Sequence, residues 1–189
     1  MHGLSIYQKG FLAAFLAGVL WSTGGVFIKL ISLDAFQISA LRSFFAAATI
    51  LFIFRSKAVM INKGVVINGL FYSGILILFV MATKLTTAAN AIFLQYTAPI
   101  YVLILEPLIL KTRFERINGI TIVICFIGMT LFFVGEISPG HMLGNILALT
   151  SGLAFAGFLI GMRKNDHKYQ YATIFYGNVF IALICFFSL

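Results

Sequence analysis

Three charged side chains of this chain are embedded in long apolar stretches: Lys29, Arg42 and Glu106. Charges in such surroundings either pair locally or handle charge carried by something else. Lys29 and Arg42 have two readings. They snorkel to the surface, with Lys29 pairing to Asp34, or they form a cationic vestibule that favours anionic or zwitterionic solutes. Glu106 either pairs with a nearby Lys or Arg, or serves as a gate or proton acceptor. The stretch holding Glu106 is also the most polar. Asn90, Leu94, Thr97 and Tyr101 share one face by helical spacing, and Gln95 and Glu106 share a second. Pro99 removes a backbone donor among them, which predicts a kink that frees carbonyls. Further polar groups sit mid-stretch: Trp21, Ser22 and Thr23, then Tyr72 and Ser73, then Tyr176 and Asn178. These should point into the molecule, either as glue between helices or as the lining of a cavity.

Covalent and metal chemistry are not expected from these residues. His2, His141 and His167 all lie outside the apolar stretches, so no nucleophile and base share a depth. Cys125 and Cys185 have no metal-ligand spacing. There is no Gly-rich nucleotide loop. The expectation is therefore no catalytic residue, no metal and no cofactor, and the candidates describe a solute pathway.

The elements that must position them follow from hydropathy. Of the 189 residues, 61% are hydrophobic and 10% are charged, against about 25% charged in a soluble domain. A helix needs roughly 20 apolar residues to cross a bilayer. Seven stretches meet this: Phe11–Leu33, Phe36–Phe54, Gly64–Lys84, Ala88–Leu110, Ile117–Gly135, Met142–Met162 and Tyr171–Leu189. They are too long and too continuously apolar for barrel strands. The fold class expected is an all-α polytopic membrane protein of seven transmembrane helices. Nucleic acid is excluded as a partner despite the net charge of +8, because of where the charge lies. Lys9, Arg55, Lys57, Lys63, Lys111, Arg113, Arg116, Arg163, Lys164 and Lys168 all fall on one side of the spans, and Lys84 is the cation of the opposite connections. The positive-inside rule places that side, and the N-terminus, in the cytoplasm.

A shift of 134 residues lays span 1 on span 6. Gly10, Ala14 and Gly18 meet Gly144, Ala148 and Gly152; Trp21 meets Phe155, Ser22 meets Ala156, and Lys29 meets Arg163. Each helix thus carries a ladder of small residues four apart, the pattern that lets membrane helices approach closely. The same shift lays Ser39 on Thr173, and so span 2 on span 7. Copies five spans apart enter the membrane from opposite faces, as in the inverted repeats of secondary transporters. The division expected is a first five-helix repeat over 1–135 and the start of an inverted second repeat over 136–189. Counterparts of spans 3 to 5 would follow Leu189, and without them the ladder of span 6 is expected to be partly unpacked.

Several pieces, in order, resemble the EamA branch of the drug/metabolite transporter superfamily. Span 1 has Leu20-Trp21-Ser22-Thr23 and then Lys29; span 2 has Ala40-Leu41-Arg42 and a run of Phe and Ala. Spans 3 and 4 have Ala82-Thr83-Lys84-Leu85-Thr86-Thr87-Ala88 and Ala98-Pro99-Ile100-Tyr101. The next connection reads Leu110-Lys111-Thr112-Arg113-Phe114-Glu115-Arg116, followed by Asn118-Gly119, with Gly128 later. Thr112 departs from the family pattern, which usually has Glu there. The resemblance implies ten helices in two inverted repeats. It also implies a permease for small metabolites, amino acids or drugs, commonly exporting, in a prokaryotic plasma membrane. Membrane lipid and a small-molecule substrate are the partners implied. A second copy of the chain or a separately encoded C-terminal remainder is a further candidate. The alternatives are an inactive or partner-dependent fragment of such a transporter, and a seven-helix receptor. The receptor reading conflicts with the charge pattern, which puts the N-terminus inside.

Overall fold

The computed structural model describes residues 5–113, 116–133 and 141–186. Within these the chain is helical: α1 Ile6–Leu30, α2 Ala35–Phe54, α3 Lys63–Leu85, α4 Ala88–Gln95, α5 Ala98–Leu110, α6 Arg116–Phe133, α7 Met142–Lys164 and α8 Gln170–Phe186. Helices α4 and α5 together make one span, Ala88–Leu110, one of six long and apolar enough to cross a membrane; α6 holds a shorter apolar stretch, Arg116–Gly128. The polytopic seven-span architecture expected from hydropathy is the one observed. The expected end of span 5 at Gly135, the 135/136 repeat boundary and the last residues of span 7 lie outside the described residues.

Short polar side chains set the helix starts. Asp34 caps α2, accepting from the Gln37 backbone N–H while the Gln37 amide oxygen accepts from the Asp34 N–H. Asn62 caps α3 through the Val65 N–H at 2.7 Å, and Thr87 caps α4 through the Asn90 N–H at 3.1 Å. Each satisfies a donor that a helix start leaves without a partner. The expected Lys29–Asp34 pair is absent among the described residues. The capping bonds hold the Asp34 carboxylate locally, and the Lys29 ammonium donates to the Lys84 carbonyl at 3.4 Å.

Helix α3 is the centre of the packing. It lies against α7 on one side and α8 on the other, with α2 on α8 and α4 and α5 on α7. Helices α3 and α7 are antiparallel. Near the cation-rich end, Gly64 of α3 sits beneath the Asn165 side chain, and Gly161 of α7 sits beneath that of Asn68. At the other end Gly144 lies on the backbone of Leu85 and Thr86, where an added Cβ would come within 2.8 Å. The Ser73 hydroxyl, buried mid-span, is within hydrogen-bond range of the Gly69 carbonyl (2.8 Å) and of the Gly177 carbonyl of α8 (3.0 Å). This is the interhelical glue expected of mid-depth hydroxyls. Phe54 stacks on Tyr171 at 3.8 Å and joins α2 to α8.

The two small-residue ladders have opposite fates. Gly144, Ala148, Gly152 and Ala156 of α7 are all buried. The expectation that this ladder is left partly unpacked is overturned, because α3, α4 and α5 cover it. The bare ladder belongs to α1. Gly10 and Gly18 have no neighbouring atom within 4 Å of an added Cβ. Helix α1 leans on α3 and α4 only near its far end, where Gly25 meets Ile92 and Ala88.

Helix ends follow the 134-residue register. Helix α1 ends at Leu30 and α7 ends 134 residues later, at Lys164. Ser39 and Thr173, 134 apart, are both buried, and each donates to the carbonyl four residues before it, Ala35 and Tyr169.

Candidate functional site

The fourth span is broken at Tyr96 and Thr97, with α5 restarting at Ala98. The sequence predicts a kink from Pro99, and the interruption falls two to three residues earlier. The reason lies in the reach of a proline. Its missing N–H and its ring both act on the carbonyl four residues before it, here that of Gln95. Beyond Gln95 the ladder changes register. The Thr97 N–H turns back to the Leu94 carbonyl at 3.2 Å, and the Ile100 N–H goes to Thr97 at 2.9 Å instead of to Tyr96. The Thr97 hydroxyl adds a second bond to the Leu94 carbonyl at 2.7 Å. The Gln95 and Tyr96 carbonyls thereby leave the regular helical ladder.

The break is seated on α7. An added Cβ at Gly152 would lie 2.7 Å from the Thr97 hydroxyl and 2.9 Å from the Gln95 carbonyl oxygen. Beside it the Gln95 amide donates to the Ser151 hydroxyl at 2.8 Å, and Ser151 donates to the Ile75 carbonyl of α3 at 2.9 Å. The helical rise places Ser151 about 14 Å along a helix of about 33 Å, close to mid-depth. Irregular backbone at that depth persists only where protein or a cavity covers it.

Of the sequence candidates, Asn90 and Thr97 are buried, and Tyr101 is half-buried in α5. At the end away from the cation-rich connections, the Asn90 amide donates to the Thr86 hydroxyl at 3.5 Å, and Thr86 donates to Asn145 of α7 at 2.8 Å. Glu106 and Gln95 both reach α7 despite the break between them. Glu106 pairs with Arg163, joining α5 to α7. The Glu106 side chain is 16% exposed and that of Arg163 64%. Solvent on the arginine side limits the value of the pair. A double-mutant cycle of Glu106→Gln and Arg163→Gln, read by unfolding in detergent, should give a coupling of about 0.5–1 kcal/mol. Zero coupling would remove this pair as a tie between α5 and α7.

Ring contacts also tie α7 to α1 and to α3. Trp21 of α1 meets Phe155 of α7 edge-on, with ring centroids 6.5 Å apart. These two residues are 134 apart, the shift that aligns the two sequence ladders. Three residues along α7, Phe158 contacts Tyr72 of α3 at 5.6 Å. Arg42 lies on α2 and is in no ion pair among the described residues. Trp21 is 66% exposed. The Ser22 side chain lies outside the described residues. Lys29 stands apart from these contacts, beside Lys84, whose ammonium donates to the Ile31 carbonyl at 2.6 Å.

Sequence reasoning missed the α7 contribution: Ser151, Gly152, Phe155, Phe158 and Arg163. Part of the signal was present, since Phe155 and Arg163 are the shifted mates of Trp21 and Lys29.

Comparison with known proteins agrees with this architecture. Residues 8–134 match the model of the EamA-like transporter family. The human protein solute carrier family 35 member G1 is 23% identical over 194 aligned residues, covering 93% of this chain and 53% of the relative. The chain thus spans about half the length of the curated relative it matches. No solved structure matches. With the matched region covering two-thirds of the sequence, the chain belongs to the EamA-like transporter family.

Proposed function

We propose that this chain acts as a secondary transporter, or permease, for small organic solutes such as metabolites, amino acids or drugs. It moves them outward across a prokaryotic plasma membrane by alternating access. One observation carries the reading: a span broken at mid-depth and seated by Gly152 and Ser151 on α7. Discontinuous helices at a repeat interface are where secondary transporters bind solutes. The first repeat occupies 1–135 and the second begins at 136, in inverted orientation. The cation-rich end, with the N-terminus, faces the cytoplasm. The Glu106–Arg163 pair then lies on the cytoplasmic side and ties the lower half of the broken span to α7 when that side is closed.

Export is tested by comparing small molecules in the medium of cells that make the protein with those of cells that make Pro99→Ala. The expected result is one chemical class enriched outside with the unaltered protein alone. Identical profiles at equal membrane abundance would contradict it.

A further inference from the structure

Helices α3 and α7 touch near both of their ends, and the two ends are built differently. Away from the cations the contact is bonded: Gly144 lies on the Leu85 and Thr86 backbone, and Thr86 donates to Asn145 at 2.8 Å. At mid-depth Ser151 donates to the Ile75 carbonyl at 2.9 Å. Near the cation-rich end the helices interlock reciprocally. Gly64 and Asn68 are four apart on α3, and Gly161 and Asn165 are four apart on α7, so each pair shares one helix face. The Asn68 carboxamide lies on Gly161, and the Asn165 carboxamide lies on Gly64. The Asn165 oxygen accepts from the Asn62 amide at 3.1 Å. The amide nitrogens of Asn68 and Asn165 are both buried without an acceptor among the described residues. Asn68 is 2% exposed, and the helical rise places it about 8 Å inside the start of α3. A buried donor without a partner is costly, and water removes that cost. Separation at this end gives both amides to water, against the loss of one Asn62–Asn165 bond. Separation at the other end starts from bonds already made.

We propose that the contact of Gly64 and Asn68 with Asn165 and Gly161 is the cytoplasmic gate of the transporter, with Asn68 as its innermost residue. In the closed gate the glycines let the two helices approach closely enough to keep Asn68 dry. On opening, α7 swings away from α3 at this end, pivots about the Ser151–Ile75 and Thr86–Asn145 bonds, and lets water reach Asn68. The two amides without acceptors keep the closed form from being too stable to open. The inference rests on the transport reading above, and it names the contact that moves in that cycle.

The test reads water access at Asn68 with a cysteine and a membrane-impermeant maleimide, on protein in lipid nanodiscs, where both ends meet the reagent. The free Cys125 and Cys185 are first replaced by alanine. Asn68→Cys should be labelled at least about tenfold faster than Thr83→Cys, because labelling of a buried thiol tracks local opening. Thr83 is the comparison because it is fully buried on the same helix, and it lies only about 3 Å from the other end. Asn68→Leu keeps the shape of the side chain and removes the amide. It should raise the unfolding temperature in detergent and cut flux about tenfold by holding the gate shut. A side chain that only packs would change the unfolding temperature and leave flux as it was. Labelling of Asn68→Cys no faster than that of Thr83→Cys overturns the inference, and so does unchanged flux through Asn68→Leu. If Asn68→Cys does not fold, hydrogen exchange in the unaltered protein makes the same comparison. Backbone amides of residues 66–70 should then exchange faster than those of 81–85, and equal or slower exchange overturns the inference. The two readings fail separately. Fast labelling of Asn68→Cys without flux leaves the gate and removes transport. Flux with slow labelling leaves transport and removes the gate.

Discussion

Gly152→Val is expected to destabilise the protein severely, and Gly18→Val to leave it nearly unchanged. The two glycines are 134 residues apart, each the third rung of its ladder, so the sequence around them does not separate them. Their surroundings do. A Cβ at Gly152 meets the Gln95 carbonyl oxygen and the Thr97 hydroxyl at under 3 Å, and the first of these is backbone. Backbone cannot step aside as the tip of a flexible side chain can, so the broken span must lift off α7. That strains the Gln95–Ser151–Ile75 bonds together with the packing. Overpacking alone costs about 1–3 kcal/mol, and a buried polar group left without its partner adds about 1–3 kcal/mol. At Gly18 an added Cβ has nothing within 4 Å, so the change should stay within about 0.5 kcal/mol. Thermal unfolding of the purified protein in detergent checks both. Equal losses at the two positions would mean that the α1 ladder is covered as closely as the α7 ladder.

Pro99→Ala should leave the protein folded but reduce transport by tenfold or more, which is ~1.4 kcal/mol on the limiting step. Alanine restores the N–H that the Gln95 carbonyl lacks and removes the ring that pushes on it. The span can then close into one continuous helix from Ala88 to Leu110. Continuity would swing Tyr101 and Glu106 about the helix axis relative to Asn90 and Gln95, and would remove the freed carbonyls at mid-depth. Thr97→Val is the milder companion. It deletes the hydroxyl bond to the Leu94 carbonyl while Pro99 still enforces the break, so its effect on flux should be smaller. If Pro99→Ala transports at the rate of the unaltered protein, the break has no part in the pathway.

Particular residues show what the sequence made legible. The seven spans follow from length and apolarity, because a bilayer leaves the backbone few other choices. The helix starts at Asp34, Asn62 and Thr87 carry side-chain oxygens that serve the cap. The competition for Asp34 was not legible: ion pair and capping box are both local, and the preorganised cap prevailed. The position of the break was legible only to within a turn, since a proline acts four residues upstream of itself. Glu106 was identified as embedded, but its partner Arg163 lies 57 residues away, and no local spacing rule reaches that far. The two ladders read alike in sequence, and only the packing of α3, α4 and α5 decided which one is buried.

The most direct test of the central claim is solute flux through the purified chain in proteoliposomes loaded with a mixture of small anionic, neutral and cationic metabolites, followed by their loss over time. The expected result is a protein-dependent, saturable efflux of one chemical class that falls at least tenfold in Pro99→Ala. Efflux equal to that from protein-free liposomes for every class in the mixture would contradict it.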